Sequence, residues 1–396
     1  MSVVLKALLR FLKLTGCFLI AAIGLCSGCQ TAAYYKQAIQ GQCQIVLHQE
    51  SIKSLLVSTE VPASLKEKFH IILQARAFAE AELKLPARRH YLSYAELQRP
   101  FVVWNVHAAP AFSLQPKTWF YPVIGSAKYR GFFAEKDAQK YATSLRKQGF
   151  DVYVEGVEAY STLGWFADPV LSTFIHHDPP DLAETIFHEL THQRLYISGD
   201  TDFNEALATA VAEEGLRRWM LTNGNPTAEA QYQTNLARRR QFVNLVMTTR
   251  KRLEQIYGDE PARKDRRPLG SEEAASQQAA KERVIVQLRS DYDQLKAEWG
   301  GYPGYDGWFR QPLNNAQINT VATYYHLVPA FHRILHAKGG NLETFFKEVR
   351  RLSKLPKTER TQKLQAVLWS STPATARPVQ PGLGDGRGPP GAGSET

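Results

Sequence analysis

Leu182-Ala-Glu-Thr-Ile-Phe-His-Glu-Leu-Thr-His-Gln-Arg-Leu-Tyr196 is the stretch on which the fold turns. Leu182, Ile186, Phe187, Leu190 and Leu195 recur at helical spacing, which predicts a largely buried helix. On such a helix His188 and His192 stand one turn apart and share a face. Two imidazoles so placed can bind one zinc ion, and Glu189 can take the proton of a water beside that ion. A chance amphipathic helix with two solvated histidines is the competing reading. The apolar flanks weigh against it, because polar groups on a buried helix cost about a few kcal/mol each unless they find a partner. A metal is such a partner, and the pattern points to metal-assisted hydrolysis, most often of a peptide bond.

A catalytic zinc takes three protein ligands and keeps one position open. Candidates lie in Asp200 to Gly215, which reads as a second helix with Asp202 or Asn204 near its start. Two carboxylates compete there: Glu205 at the helix opening, and Glu213 about two turns later beside Glu214. Asn204-Glu-Ala-Leu-Ala208 resembles the Asn-Glu-x-x-Ala helix of gluzincin peptidases, the thermolysin-like and aminopeptidase clans, in which the Glu after Asn is the third ligand. The resemblance implies Glu205. One departure stands beside it: the gap from His192 to Glu205 is shorter than those families usually have, and Glu213 fits their spacing better. The alanines around Glu205 would let this helix pack closely on the first.

Further segments extend the resemblance. Glu158 to Thr173, Ile186 to Gln193, Phe203 to Thr209, Phe120-Tyr-Pro-Val-Ile-Gly-Ser, Lys128-Tyr-Arg-Gly-Phe-Phe133, Leu313-Asn-Asn-Ala-Gln317 and Ala322 to Phe331 are together similar to a bacterial family of predicted aminopeptidase lipoproteins, over roughly residues 25 to 370. That resemblance implies a zincin-like metallopeptidase holding one zinc ion and acting on peptides. It points to Tyr324 as the donor to the oxyanion; Tyr325, His326 and Tyr196 are alternatives. Asn314 and Asn315 either bind substrate backbone or cap the following helix. An aminopeptidase also needs a carboxylate for the substrate's ammonium, and Asp168, Glu158 and Glu184 are candidates.

The amino terminus reads as a leader. Lys6, Arg10 and Lys13 precede an apolar run from Leu14 to Leu25, too short to span a bilayer. Leu25-Cys-Ser-Gly-Cys29 resembles a lipobox, which makes residues 1–28 a lipoprotein signal peptide and Cys29 the lipidated first residue. Gln30 after it suggests the periplasmic face of the outer membrane. Of four cysteines, only Cys43 would then remain, which excludes an internal disulfide framework. The net charge of +10 clusters at Arg238 to Arg240, Arg250 to Arg252 and Arg263 to Arg267. No nucleic-acid motif accompanies it, so a solvated face on long helices is the expectation.

Along the chain, residues 31–60 and 66–83 read as helices, Phe101 to Val106 as a strand, Glu135 to Gln148 as an amphipathic helix stopped by Gly149, and Asp151 to Glu155 as a strand. Tyr160 to Trp165 is a candidate sheet edge for an extended peptide. Ala228 to Tyr257 and Glu272 to Trp299 predict an antiparallel helical hairpin projecting from the core. Ala316 to Lys338 and Leu342 to Leu352 read as further helices, and Ser371 to Thr396 as a disordered Pro/Gly-rich tail. The fold class expected is α+β, mainly α, with one domain over 29–370. An enzyme is favoured over a non-catalytic zincin-like lipoprotein that binds peptides or envelope components, since a pure binder has no need of Glu189. Hydrolysis of another amide, such as a peptidoglycan crosslink, is a third reading.

Overall fold

The computed structural model describes residues 29–122, 124–223, 226–258 and 270–369. The expected signal peptide (1–28) and tail (371–396) lie outside the described residues. Helix α1 (Cys29–Leu47) gives way to a short strand, β1 (Gln49–Ser51), and a short helix, α2 (Ile52–Val57). The single helix expected over 31–60 is therefore broken. β1 pairs antiparallel with β2 (Ser93–Ala95), Gln49 opposite Ala95, and Ile52 N–H donates to the Leu92 carbonyl at 3.0 Å. Pairing with a distant segment outweighs local helix propensity here. Between them α3 (Ala63–Ala81) buries Phe69, Ile72, Ala75 and Ala79 at helical spacing.

The second sheet positions the candidate site. Strand β3 (Val103–Pro110) is followed by β4 (Trp119–Tyr121), β5 (Gly125–Ala127), β6 (Arg130–Phe132), α4 (Glu135–Lys147), β7 (Phe150–Val157) and β8 (Val170–Leu171). β6, β3 and β7 form one antiparallel sheet with Trp104 opposite Phe132 and Val106 opposite Val154. β4 pairs with β5, and β8 runs parallel to β2. Side chains alternate along a strand. Trp104, Val106 and Ala108 accordingly pack on Ala138, Ala142 and Leu145 of α4, while Val103 and Asn105 face a cavity on the other side. Gly149 closes α4 with φ of +85° and donates its N–H to the Arg146 carbonyl at 2.9 Å. Tyr160 to Trp165, read as a sheet edge, is instead a loop, with Leu163 and Gly164 both at positive φ.

Helices follow to the end: α5 (Pro179–Arg194), α6 (Thr201–Asn223), α7 (Pro226–Tyr257), α8 (Ser271–Glu298), α9 (Asp306–Arg310), α10 (Asn315–Tyr325), α11 (Val328–Ala337), α12 (Leu342–Ser353) and α13 (Lys357–Trp369). The fold is thus α+β and mainly α, as expected. The one helix expected over 316–338 is two, because Pro329 sits in the first turn of α11, where a missing N–H is harmless, and would break a helix interior. The α7–α8 pair is antiparallel: Trp299 donates to Gln241 at 2.7 Å, and Arg252 meets Asp291 at 3.4 Å. The pair does not project freely. Val246, Leu253 and Leu288 form a second core with Ile318 and Val321 of α10, and buried Lys281 reaches Asp151 at 2.5 Å. The main core gathers Phe69, Phe187, Phe203, Phe331 and Phe345.

Helices α5 and α6 approach closely, and the small side chains of α6 allow it. Ala206, Ala208, Ala210 and Ala212 are buried, and a Cβ on Gly215 would lie 2.6 Å from a Leu83 methyl carbon and 2.9 Å from the Phe187 ring. A Gly215→Val variant should lose about 1–3 kcal/mol of stability through overpacking. Urea unfolding reads this as a lower midpoint at unchanged slope, and an unchanged midpoint would mean that the helix contact yields freely.

Candidate metal centre

Helix α5 starts at Asp178, whose backbone is extended, with Pro179 and Pro180 in the first turn. Proline suits that position because its absent N–H would have no partner there anyway. Leu182, Ala183, Ile186, Phe187 and Leu190 are buried against the main core. That face fixes the rotation of the helix and turns His188, Glu189 and His192 toward α6 and the cavity. The two imidazole rings stand 5.0 Å apart, edge to face.

Glu205 enters between them from α6. One of its carboxylate oxygens lies 3.3 Å from His188 Nε2 and 3.6 Å from His192 Nε2. Four-coordinate zinc with bonds of ~2.0–2.1 Å separates its donors by roughly 3.3 Å, so the carboxylate and both nitrogens stand at distances that one zinc would bridge. Among the described residues these three form the one group of histidine, cysteine or carboxylate side chains converging in this way. The donor set of two imidazoles and a carboxylate fits zinc by its chemistry as well.

The short gap from His192 to Glu205 has a local cause. Leu195 leaves the helix in an extended conformation, and Asn204 clamps the turn, accepting from Ile197 N–H at 2.9 Å and donating to the Ile197 carbonyl at 2.8 Å. Asp200, buried in the same turn, pairs with Arg360 at 2.6 Å. A turn pinned at both ends needs few residues, and the residue after the clamp, Glu205, faces the histidines. Glu213 is elsewhere: it pairs with His332 at 2.8 Å and with Arg239 at 3.7 Å.

Two adjacent carboxylates are pushed in opposite directions. Burial raises the Glu189 pKa to about 7, with the Glu205 and Asp168 charges adding to the rise and His188 opposing it. Burial also works to raise Glu205, but His192 and His188 outweigh it and hold that carboxyl well below the usual range.

Tyr324 of α10 and Tyr196 line the same cavity, which measures about 310 Å³. The Glu205 charge, then burial, lifts the Tyr324 hydroxyl pKa well above its ordinary value, so the hydroxyl stays a donor. Burial and then Glu205 raise Tyr196 to about 12. Tyr129 joins them, raised by burial first and then by Glu205. The sequence reading missed Tyr129 and Asn105. Strand alternation along β3 was the available signal for Asn105; Tyr129 lies just before β6 and had none beyond its chain neighbours. Tyr325 lines a neighbouring cavity instead, and His326 is exposed.

Other assignments need correction. Asn314 and Asn315 hold structure and do not line the cavity. Asn314 caps α10 by accepting from Gln317 N–H at 3.1 Å. Asn315, fully buried, donates to the carbonyls of Pro110, Ala111 and Ser113. All three carboxylates proposed for the substrate's ammonium are engaged. Glu184 grips Arg239 through both oxygens, at 2.6 and 3.1 Å, and Glu158 pairs with His177 at 3.1 Å. Asp168 organises the 160–168 loop, accepting from Thr162 at 2.5 Å and Gln193 at 3.1 Å and facing His90 at 3.3 Å. Gln193, one residue after His192, thereby ties this loop to α5. Cys29 begins α1, and the rest of the expected lipobox lies outside the described residues.

A family model described as "Putative aminopeptidase" matches residues 33–364. No curated protein and no solved structure matches the chain.

The geometry separates the two glutamates by experiment. Glu205→Gln should lower zinc affinity by more than the roughly 10–100-fold typical of losing an outer-shell partner. Glu213→Gln should keep one metal per chain. Metal analysis of both purified variants after dialysis checks this, and full zinc in Glu205→Gln would remove Glu205 from the ligand set.

Proposed function

Since the chain belongs to the family described as "Putative aminopeptidase", we propose that it is a zinc-dependent peptidase, an aminopeptidase, tethered in the cell envelope through Cys29. One observation carries the proposal: the Glu205 carboxylate sits within 3.6 Å of both imidazoles, with buried Glu189 beside them at the wall of a cavity. Metal-binding side chains inside a cavity, next to a carboxylate that is not among them, suit hydrolysis better than a structural site, which is closed by a fourth ligand.

His188, His192 and Glu205 would hold a zinc ion, which would supply Lewis-acid polarisation of the scissile carbonyl and of water. Glu189 takes the proton from the attacking water and passes it to the leaving amine. The Tyr324 hydroxyl donates to the oxygen on which negative charge develops. Asn204 and Asp200 hold the turn that presents Glu205, and Gln193 with Asp168 holds the loop that forms one wall of the cavity.

Support for the envelope location comes from the sequence of the leader alone. Among the described residues no helix is long and apolar enough to cross a membrane.

Purified protein assayed on free and N-acetylated peptides tests the reading. Glu189→Gln should retain metal and lose about 10²–10⁴-fold in kcat. Tyr324→Phe should lose about 10²–10³-fold in kcat with KM little changed. Zinc binding without Glu189-dependent cleavage would favour a binding protein, and cleavage of N-acetylated or internal bonds would remove the aminopeptidase assignment. Separately, Cys29→Ser should move the protein from the membrane fraction to the soluble one, and unchanged fractionation would remove the lipid tether.

A further inference from the structure

Two cavities meet at the candidate metal centre, sharing His188, Glu189, Tyr324, Val157 and Ala159. They differ in chemistry. The larger, about 600 Å³, carries Glu158, Asp181, Glu184 and Arg239 on its walls. It continues into a third of about 620 Å³ that shares Asp181, Glu184, Arg239, Tyr302 and Tyr305 with it. The smaller, about 310 Å³, has no charged side chain on its walls except those of the centre itself: His188, Glu189, His192 and Glu205. The remainder of its wall is aromatic or aliphatic apart from Asn105, Ser161 and the hydroxyls of its tyrosines. It is closed on one side by α1, through Tyr34 and Ala38.

That α1 wall is firmly placed. The Arg130 guanidinium lies 4.0 Å from the centroid of the Tyr34 ring, and Tyr34 meets Phe132 edge to face. Gln37 accepts from Phe133 N–H at 2.9 Å. A dry apolar cavity of about 150 Å³ accommodates a benzene ring. The smaller cavity, about twice that volume, has room for one large side chain. A charged side chain would meet no charged partner there outside the centre itself, where His188, His192 and Glu205 already engage one another, and would enter at a cost of several kcal/mol.

Resting on the aminopeptidase reading, we propose that the smaller cavity seats the side chain of a single large apolar residue at the amino end of the substrate. Phenylalanine and leucine are its class. The peptide beyond the scissile bond runs into the larger, charged cavity and its continuation. The geometry thus assigns the selectivity to Ala38 and Tyr34 on one wall and Leu163 on another, residues that are not in the metal-binding group.

The test uses the full chain with zinc and aminoacyl arylamides of Phe, Leu, Ala, Lys and Glu. The expected result is a kcat/KM for Phe and Leu at least about 10²-fold above Lys and Glu, the range that a hydrophobic pocket affords. Ala38→Phe should then lower the Phe-to-Ala ratio at least about 10-fold. Preference for Lys or Glu, or an Ala38→Phe effect equal on all substrates, overturns the cavity assignment and leaves the peptidase reading intact. If no arylamide is cleaved, that reading fails instead. The cavity is then judged by calorimetry with phenylalanine amide and lysine amide. Tighter binding of the phenylalanine amide, weakened at least about 10-fold in Ala38→Phe, upholds the assignment. Equal binding of the two amides overturns it.

Discussion

Everything at the centre depends on one buried carboxylate, Glu205, held between two imidazoles. An isolated carboxylate inside a protein costs several kcal/mol, so the fold must bring positive partners to it and keep them there. Three devices do so. Alanines and Gly215 let α6 lie against α5. The Asn204 amide closes the turn between the helices through both of its polar atoms. Arg360 neutralises Asp200 beneath that turn, so the chain reversal does not itself bury an unpaired charge. The segment 182–205 is therefore a single constructional unit, and the cavity is what the rest of the molecule arranges around it.

What was legible in the sequence follows from how local each signal is. His188, Glu189 and His192 lie within one turn of each other, and their geometry is set once the helix is granted. Spacing favoured Glu213 over Glu205, because the length of the α5–α6 turn depends on the Asn204 clamp, which is a side-chain contact. Asn314 and Asn315 stayed between two readings for a related reason. A polar residue at the start of a helix caps it or binds a ligand with equal ease on paper, and only the carbonyls of Pro110, Ala111 and Ser113 decide for Asn315. The break at Gln49–Ser51 is of the same kind, made by a partner strand more than 40 residues away. By contrast, the split before Val328 was announced by Pro329, although the helical pattern on either side concealed it.

The basic hairpin also looks different once its partners are known. Arg239 grips Glu184 of α5 through both oxygens. Arg252 faces Asp291, and Arg238 stacks on Tyr302 with 4.3 Å to the ring centroid. Part of the apparent surplus of positive charge is thus consumed inside the molecule. The Arg239–Glu184 contact is the consequential one, because it joins the α7 helix to the helix carrying His188. Exposed pairs such as Arg252–Asp291 contribute little, about 0–1 kcal/mol each.

The docking of α1 has a consequence for reach. Tyr34 forms part of the cavity wall and lies five residues after Cys29 on the same helix. At ~1.5 Å per residue, the wall is about 8 Å along the axis from that cysteine. With a lipid on Cys29, the cavity would sit beside the headgroups rather than on a swinging arm. Folded proteins would have little room to present a chain end there.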